Sequence, residues 1–307
     1  MSGEWPELSF EVWADTYATL HMWTQIVGKV CLALTPRSNH YWNIAFQVGA
    51  SGLITPVMPY GDRSFSVIFN FLEDNLEIHC SDGGLRRLKL EPMSVATFYR
   101  RFKVELRSMG IEVKIWPMPV EIPNPIRFTD DEMHASYNDD QVRAWWRAML
   151  AMKPVMEEFR CEFVGKCSPV HFFWGSFDLA VTRFSGHRAP PKPEMGDMYA
   201  EAYSHEVISH GFWPGSGPVH EAAFYAYAVP EPAGFATASI EPSAAYYHSE
   251  LHEYILPYEA VRTASSPEAT LLAFLRTTYN AGADLGNWDR KELERWRWAR
   301  TSKSEAS

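Results

Sequence analysis

No run of Lys and Arg in the 307 residues is longer than two, as at Arg86-Arg87 and Arg100-Arg101, and the formal net charge is −10. A protein that neutralises phosphates presents a clustered basic face, so the sequence argues against a nucleic-acid partner. Long apolar runs are also missing. A membrane-spanning helix needs ~20 consecutive apolar residues, and the densest apolar stretches here are broken by Pro, Gly or charge. The start, Met1-Ser2-Gly3-Glu4-Trp5-Pro6, has no basic segment followed by an apolar stretch, and no secretory leader is expected. Cysteine is scarce: Cys31, Cys80, Cys161 and Cys167 show no CxxC spacing. The expectation is reduced thiols in a cytoplasmic protein. Around Gly28-Lys29 and Gly165-Lys166 the spacing of a phosphate-cradling loop is absent, and no GxGxxG opens a helix after a strand. A nucleotide cofactor therefore has no support, and the cofactor question stays open.

What is abundant is aromatic. Twelve Trp and 14% aromatic residues stand in a chain that is 46% hydrophobic and 21% charged. That balance is globular. Trp and Tyr supply large buried area with a polar handle, which suits a thick core as well as a ligand pocket.

Periodicity predicts an α+β protein of two related modules, each a mostly antiparallel sheet flanked by helices. The first module covers 1–116. A helix is expected over 10–27, ending at Gly28-Lys29, followed by β segments at 30–34 and 41–48. Phe65, Val67, Phe69 and Phe71 alternate with Ser66, Ile68 and Asn70, the period-two signature of a strand. Turns at 73–75 and 81–84 lead into strands at 76–80 and 85–90. Ser94 then caps a helix to about 109, with Val95, Phe98, Phe102 and Leu106 on one face, and a strand follows at 111–116. A Pro-rich connector spans 117–139. The second module covers 140–284: a helix over 140–163 kinked at Pro154, strands near 170–184, 203–212 and 222–229, and a closing helix near 267–283. Residues 285–307 form a charged terminal helix and tail. The order helix, Gly-Lys, antiparallel strands, helix appears twice, which suggests an internal duplication.

The densest mixture of polar and aromatic residues runs over 165–184, from Gly165-Lys166-Cys167 through His171-Phe172-Phe173-Trp174-Gly175-Ser176-Phe177-Asp178 to Arg183, and is paired by order with Tyr203-Ser204-His205-Glu206. Together with Leu20-His21-Met22-Trp23-Thr24-Gln25-Ile26-Val27-Gly28-Lys29, these segments resemble an uncharacterised bacterial family catalogued as a domain of unknown function, number fifty-nine ninety-six. The resemblance covers nearly the whole chain. It implies a family label and no activity, so the chemistry rests on residue types.

Read as one strand after Pro169, the segment places His171 and Phe173 on one face and Trp174, Ser176 and Asp178 on the other. A buried Asp178 needs a cation such as Arg183 or Arg188, or its pKa rises. The catalytic candidates are Asp178, His171 and Glu206. The ligand-binding candidates are Trp174, Arg183 and His205, with Arg183 holding an anionic group. His171 also reads as an ordinary core histidine. His21, His171 and His205 would form a three-histidine set suited to zinc or iron, although no short ligand spacing supports it. A nucleophilic Cys167–His171 pair is disfavoured by the intervening Pro169, and a buried Cys behaves as a small hydrophobe. The expected function is binding of a small molecule in an aromatic pocket, with catalysis an open question and oligomeric state unknown. The alternative is a non-catalytic interaction protein whose aromatics are core.

Overall fold

In a computed structural model of the chain, the described residues are 5–191, 196–216 and 218–295. Most of the charged tail expected at 285–307 lies outside them. The architecture is α+β, with helices and two separate antiparallel sheets. The chain gathers into two compact units, and neither is continuous in sequence. The first comprises Met1–Ala151, His171–Leu179 and Trp213–Ala222; the second comprises Met152–Val170, Ala180–Phe212 and the chain from Ala223. A division by sequence order alone, at 117–139, does not express this exchange of segments.

The first unit contains α1 (Phe10–Leu34), a 3-10 turn at Asn39–Ile44, and strands β1 (Gln47–Gly49), β2 (Gly52–Ile54), β3 (Met58–Tyr60), β4 (Arg63–Asn70), β5 (Asn75–Cys80) and β6 (Leu85–Lys89). Helix α2 (Val95–Ser108) follows, and helix α3 (Asp139–Cys161) begins in this unit. The sheet order is β1-β2-β4-β5-β6, with β3 paired to β4. Along β4 the side chains of Phe65, Val67 and Phe69 are buried and their neighbours half-buried, which is the alternation of the sequence. Ser94 caps α2 by accepting the Thr97 N–H at 3.1 Å. Phe98, Phe102 and Leu106 line its buried face, and Gly110 ends it at φ +71°.

Helix α1 continues past Gly28 and absorbs the segment 30–34 expected as a strand. A short apolar run cannot by itself distinguish a strand from a buried helix. From Leu20 to Cys31 every residue of α1 is buried, so the helix is covered all round. Gly28 is a point of close approach: a Cβ there would lie 2.2 Å from Cε2 of Trp174. The helix stops at Leu34, where Thr35 precedes Pro36 and proline disfavours helical backbone in the residue before it. Segment 111–116 forms no strand, although Ile111 and Val113 are buried and Glu112 and Lys114 exposed. The alternation is genuine, but no neighbouring strand pairs with it.

Strand β7 (His171–Phe173) and the start of β8 (Asp178–Arg188) belong to the first unit, separated by a turn. The single strand expected across 170–184 is therefore interrupted. Gly175-Ser176 supplies the turn, and Phe177 completes it at φ +62°.

The second unit holds the end of α3, most of β8, α4 (Gly196–Ala202), β9 (His205–Trp213) up to Phe212, β10 (Ala223–Val229), β11 (Tyr246–His248), β12 (Glu253–Pro257), α5 (Tyr258–Arg262), α6 (Pro267–Leu285) and α7 (Arg290–Leu293). Its strands run β11-β12-β10-β9-β8. Gly282 lets α6 sit close to β9, since a Cβ there would lie 2.8 Å from Cδ1 of Ile208. The two Gly-Lys pairs occupy different places: Gly28 is inside α1, and Gly165 lies beyond the end of α3. Among the described residues no helix is long and apolar enough to cross a membrane.

Gly28→Ala tests the close approach. In an exposed helix this change stabilises by about 1 kcal/mol. Here the methyl must displace the Trp174 indole, and overpacking of this kind costs about 1–3 kcal/mol. Urea denaturation should show a lower midpoint for the variant; an unchanged or raised midpoint would refute the contact.

Candidate functional site

Helix α1 buries Thr16, Thr19, His21, Thr24, Gln25 and Lys29. Buried polar groups are tolerated when they are hydrogen-bonded, and these have specific partners. Thr19 Oγ1 donates to the Asp15 carbonyl at 3.0 Å and accepts the Ser136 N–H at 3.1 Å. The Gln25 amide clasps Val120 at both ends, donating to its carbonyl at 2.8 Å and accepting its N–H at 2.8 Å. Nε2 of His21 lies 3.1 Å from the Trp174 carbonyl and 2.8 Å from the Gly175 carbonyl. The two carbonyls can only accept and one of them makes the shortest contact, which favours a proton on Nε2; the amide nitrogen of Gln25, 3.1 Å away, is its third neighbour. Burial holds the His21 pKa down at about 4, against a smaller upward pull from these two carbonyls. The imidazole is thus neutral at physiological pH. Lys29 is buried too, with its ammonium 4.9 Å from the centre of the Trp116 ring, and desolvation lowers its pKa to about 8.

The turn that His21 holds carries Trp174 and Asp178. The Trp174 indole donates to the Ile44 carbonyl at 2.9 Å and lies against Gly28. Ser176 donates to Glu121 at 2.7 Å. Phe177 is fully buried, with ring centres of Trp145 at 4.7 Å and of Tyr17, His21 and Phe172 each at 5.0 Å. A positive φ in a bulky residue costs on the order of 1–3 kcal/mol; full burial of the ring contributes about as much in the other direction. Asp178 follows, 7% exposed. Tyr17 has its phenol pushed up by burial first and by the Asp178 charge as a smaller cause, while hydrogen bonds to Ser216 and Trp213 oppose the shift. His171 lies between two rings, with Phe173 at 4.5 Å and Trp42 at 6.3 Å.

The remaining candidates lie in the second unit. Arg183 is 1% exposed. Its guanidinium sits 3.5 Å from the Phe159 ring centre, 4.2 Å from that of Tyr279 and 5.1 Å from that of Phe163. It donates to the Phe159 carbonyl and lies 3.9 Å from Glu162. Burial lowers its pKa to about 10, so it remains charged at neutral pH. The structure places this cation in an aromatic box in the core, where sequence reasoning expected it to meet an anionic ligand. His210, which sequence reasoning did not single out, is buried nearby and donates from Nε2 to Thr278 Oγ1 at 3.0 Å. The direction follows because Thr278 Oγ1 already donates to the Phe274 carbonyl at 2.7 Å. Burial, and then the Arg183 charge, keep His210 neutral.

Successive residues of β9 face opposite sides of its sheet, so His205 and Glu206 diverge. His205 pairs with Ser204 Oγ at 3.0 Å; burial, and then Lys166 and Arg188, lower its pKa. Glu206 faces a cleft of about 90 Å³, lined by Glu206, Val207, Ile208, Ala228, Val229, Pro230, Pro232, Gly282, Gly286 and Trp288. Its Oε2 accepts from Ser185 Oγ at 2.7 Å and lies 3.6 Å from Nδ1 of His187. Trp288 and the two glycines were missed as lining residues. The glycine spacing near the end of an apolar helix was their only sequence signal. Gly286 is a tight position, since a Cβ there would lie 2.8 Å from the Gly282 carbonyl oxygen and 3.2 Å from the Trp288 ring.

Among the described residues no group of three or more His, Cys, Asp or Glu side chains is placed to hold a metal ion. The set His21, His171 and His205 is therefore not a metal centre there. The proton-bearing nitrogen of His21 is already directed at two carbonyls.

Two measurements test this arrangement. A histidine whose folded pKa is depressed binds its proton more readily in the unfolded chain, so stability rises as pH rises from about 4 to 6.5. Stability falls by roughly 2–4 kcal/mol through this one group once pH is below about 4. His21→Gln retains an N–H donor without the titration, so its stability profile should be shallower than the parent's between pH 4 and 6.5; parallel profiles would refute the assignment. Arg183→Ala leaves the box empty and removes one of the two donors to the Phe159 carbonyl, the other being the Glu162 N–H, and should cost about 2–5 kcal/mol as a cavity-forming change, with Arg183→Met costing less. Equal losses in the two variants, measured by chemical denaturation, would show that the charge and the cavity do not act separately.

A family model described as a family of unknown function (DUF5996) matches residues 5–295. No curated protein and no solved structure matches the chain. Since the match spans nearly all of its length, the chain belongs to the family of unknown function DUF5996.

Proposed function

We propose that the protein binds a small molecule in the second unit, with Glu206 as the polar anchor of the cleft. The observation that carries this reading is the division of labour between the two carboxylate oxygens. The contacts to Ser185 and His187 both fall on Oε2. Oε1 has no hydrogen-bond partner among the described residues, while Glu206 lines the cleft. A carboxylate that lines a concave apolar surface, with one oxygen fixed and the other without a protein partner among the described residues, is suited to act as an orienting contact of the kind ligand pockets use. Ligand sites for drug-sized molecules measure roughly 300–1,000 Å³, so a cleft of about 90 Å³ takes a small molecule or one end of a larger one.

Ser185, Glu206 and His187 sit within hydrogen-bonding or ion-pairing reach of one another. Ser185 does not line the cleft, which favours binding over nucleophilic catalysis by this serine. We also propose a cytosolic setting, supported by the four cysteines being free thiols.

A fragment screen read by melting temperature tests the binding reading. A ligand at about 100 times its Kd stabilises by about 2.7 kcal/mol. Hits for the parent protein should be lost or weakened about tenfold or more in Glu206→Gln, which keeps the shape and removes the charge. Hits that stabilise both proteins equally would place binding elsewhere.

A further inference from the structure

We infer that the group seated in the Glu206 cleft is a primary ammonium carried on a short apolar chain. The inference rests on the binding reading above and specifies the chemical class of ligand.

The charge pattern comes first. Of the ten described residues lining the cleft, Glu206 alone carries an ionisable side chain. The rest are aliphatic residues, two prolines, two glycines and the Trp288 indole. Among the described residues no cationic side chain lines the cleft, so an anionic group would meet one carboxylate there with no opposing charge. A neutral ligand could fill the space but would leave the open Oε1 without a charged partner. A cation answers the carboxylate directly, and charge-assisted hydrogen bonds are about twice as strong as neutral ones.

The indole supplies a second argument. Trp is the best aromatic partner for a cation, and the attraction grows when water is excluded. Trp288 is 8% exposed and lines the cleft, and Gly286 lets the chain lie against its ring, where a Cβ would come within 3.2 Å of Cδ1 and Nε1. Ala228, Val229, Pro230 and Pro232 give the remaining wall an apolar character, which suits methylene groups. The choice of a primary over a quaternary ammonium follows from Oε1. It is a hydrogen-bond acceptor, and a quaternary nitrogen has no N–H to give.

His187 is the intrinsic competitor. Its Nδ1 lies 3.6 Å from Oε2, and its side chain is 66% exposed. It approaches the oxygen that Ser185 already holds and leaves Oε1 to the ligand.

Isothermal titration of the full chain with n-butylammonium, choline, n-butanol and butyrate tests the inference, with the Trp288 indole N–H resonance locating the site. Butylammonium should bind and shift that resonance. Choline should bind about tenfold more weakly, and butanol and butyrate more weakly still. Raising the salt concentration should weaken butylammonium binding. Glu206→Gln should lose about tenfold or more in affinity for butylammonium, with its melting temperature within a few degrees of the parent's. Trp288→Phe is the milder test of the indole and should lose severalfold. Butanol or butyrate binding as tightly as butylammonium, with the same resonance shift, would overturn the ammonium assignment and leave the cleft a binding site. Choline binding as tightly as butylammonium would overturn the primary-amine assignment. If no probe perturbs Trp288 and no fragment hit depends on Glu206, the cleft reading and this inference fail together.

Discussion

The close packing of the Trp174 indole on Gly28, locked by the hydrogen bonds of His21 to the Trp174 and Gly175 carbonyls, is the constraint on which the first unit depends. It fixes a helix, a turn and a connector at once. Gln25 stands one helical turn beyond His21 and clasps Val120, so the same face of α1 holds both the 174–177 turn and the Pro-rich segment. Neighbours at i and i+4 share a helix face, and two polar side chains at that spacing are enough to bind two irregular segments to a buried helix. The strained backbone at Phe177 then becomes intelligible. The turn is held from one side by His21 and from the other by Ser176 on Glu121, and the Phe177 ring is enclosed by Trp145, Tyr17 and Phe172. Strain persists where surrounding contacts over-determine it.

The second unit solves a different problem, that of a cation in the core. An unpaired buried charge costs several kcal/mol. Arg183 meets that cost with three aromatic rings, a main-chain carbonyl and a distant carboxylate rather than one close ion pair. Its planar, weakly hydrated guanidinium suits stacking in a way an ammonium does not. The neighbouring histidine stays neutral for the same reason: a second buried positive charge beside Arg183 would be repelled as well as desolvated. Here the aromatic richness of the sequence serves as structure.

How much of this was legible depends on whether a signal was local. The alternation of Phe65, Val67 and Phe69 and the Ser94 cap are local patterns, and both elements formed where the pattern stood. Gly28 misled because a glycine late in an apolar helix looks the same whether it ends the helix or admits a neighbour. The neighbour, Trp174, is 146 residues away in the sequence. The same limit explains Arg183. Its charge suggested an anionic partner, and only the assembled rings of Phe159, Phe163 and Tyr279 show that the partner is the core. The exchange of segments between the units was equally hidden, since a Pro-rich stretch marks irregular chain without saying which side its flanks join.

The position of Glu206 follows from strand parity applied to the β9 that formed. His205 and Glu206 are adjacent, so one strand sends a titratable group to each face of its sheet. Burial first, and then the positive charges of Lys166 and Arg188, depress that histidine. The Glu206 side meets Ser185 and the C-terminal end of α6, where Gly282 brings the helix close and Gly286 lies against Trp288. At that end the carbonyls of Gly282, Ala283 and Asp284 are met by the N–H groups of Gly286, Trp288 and Asn287, which removes most of the partial negative charge that unmet carbonyls give a helix end. The side chain of Glu206, rather than the helix, therefore sets the sign of charge on this side, and the apolar walls limit how much of a ligand can be charged.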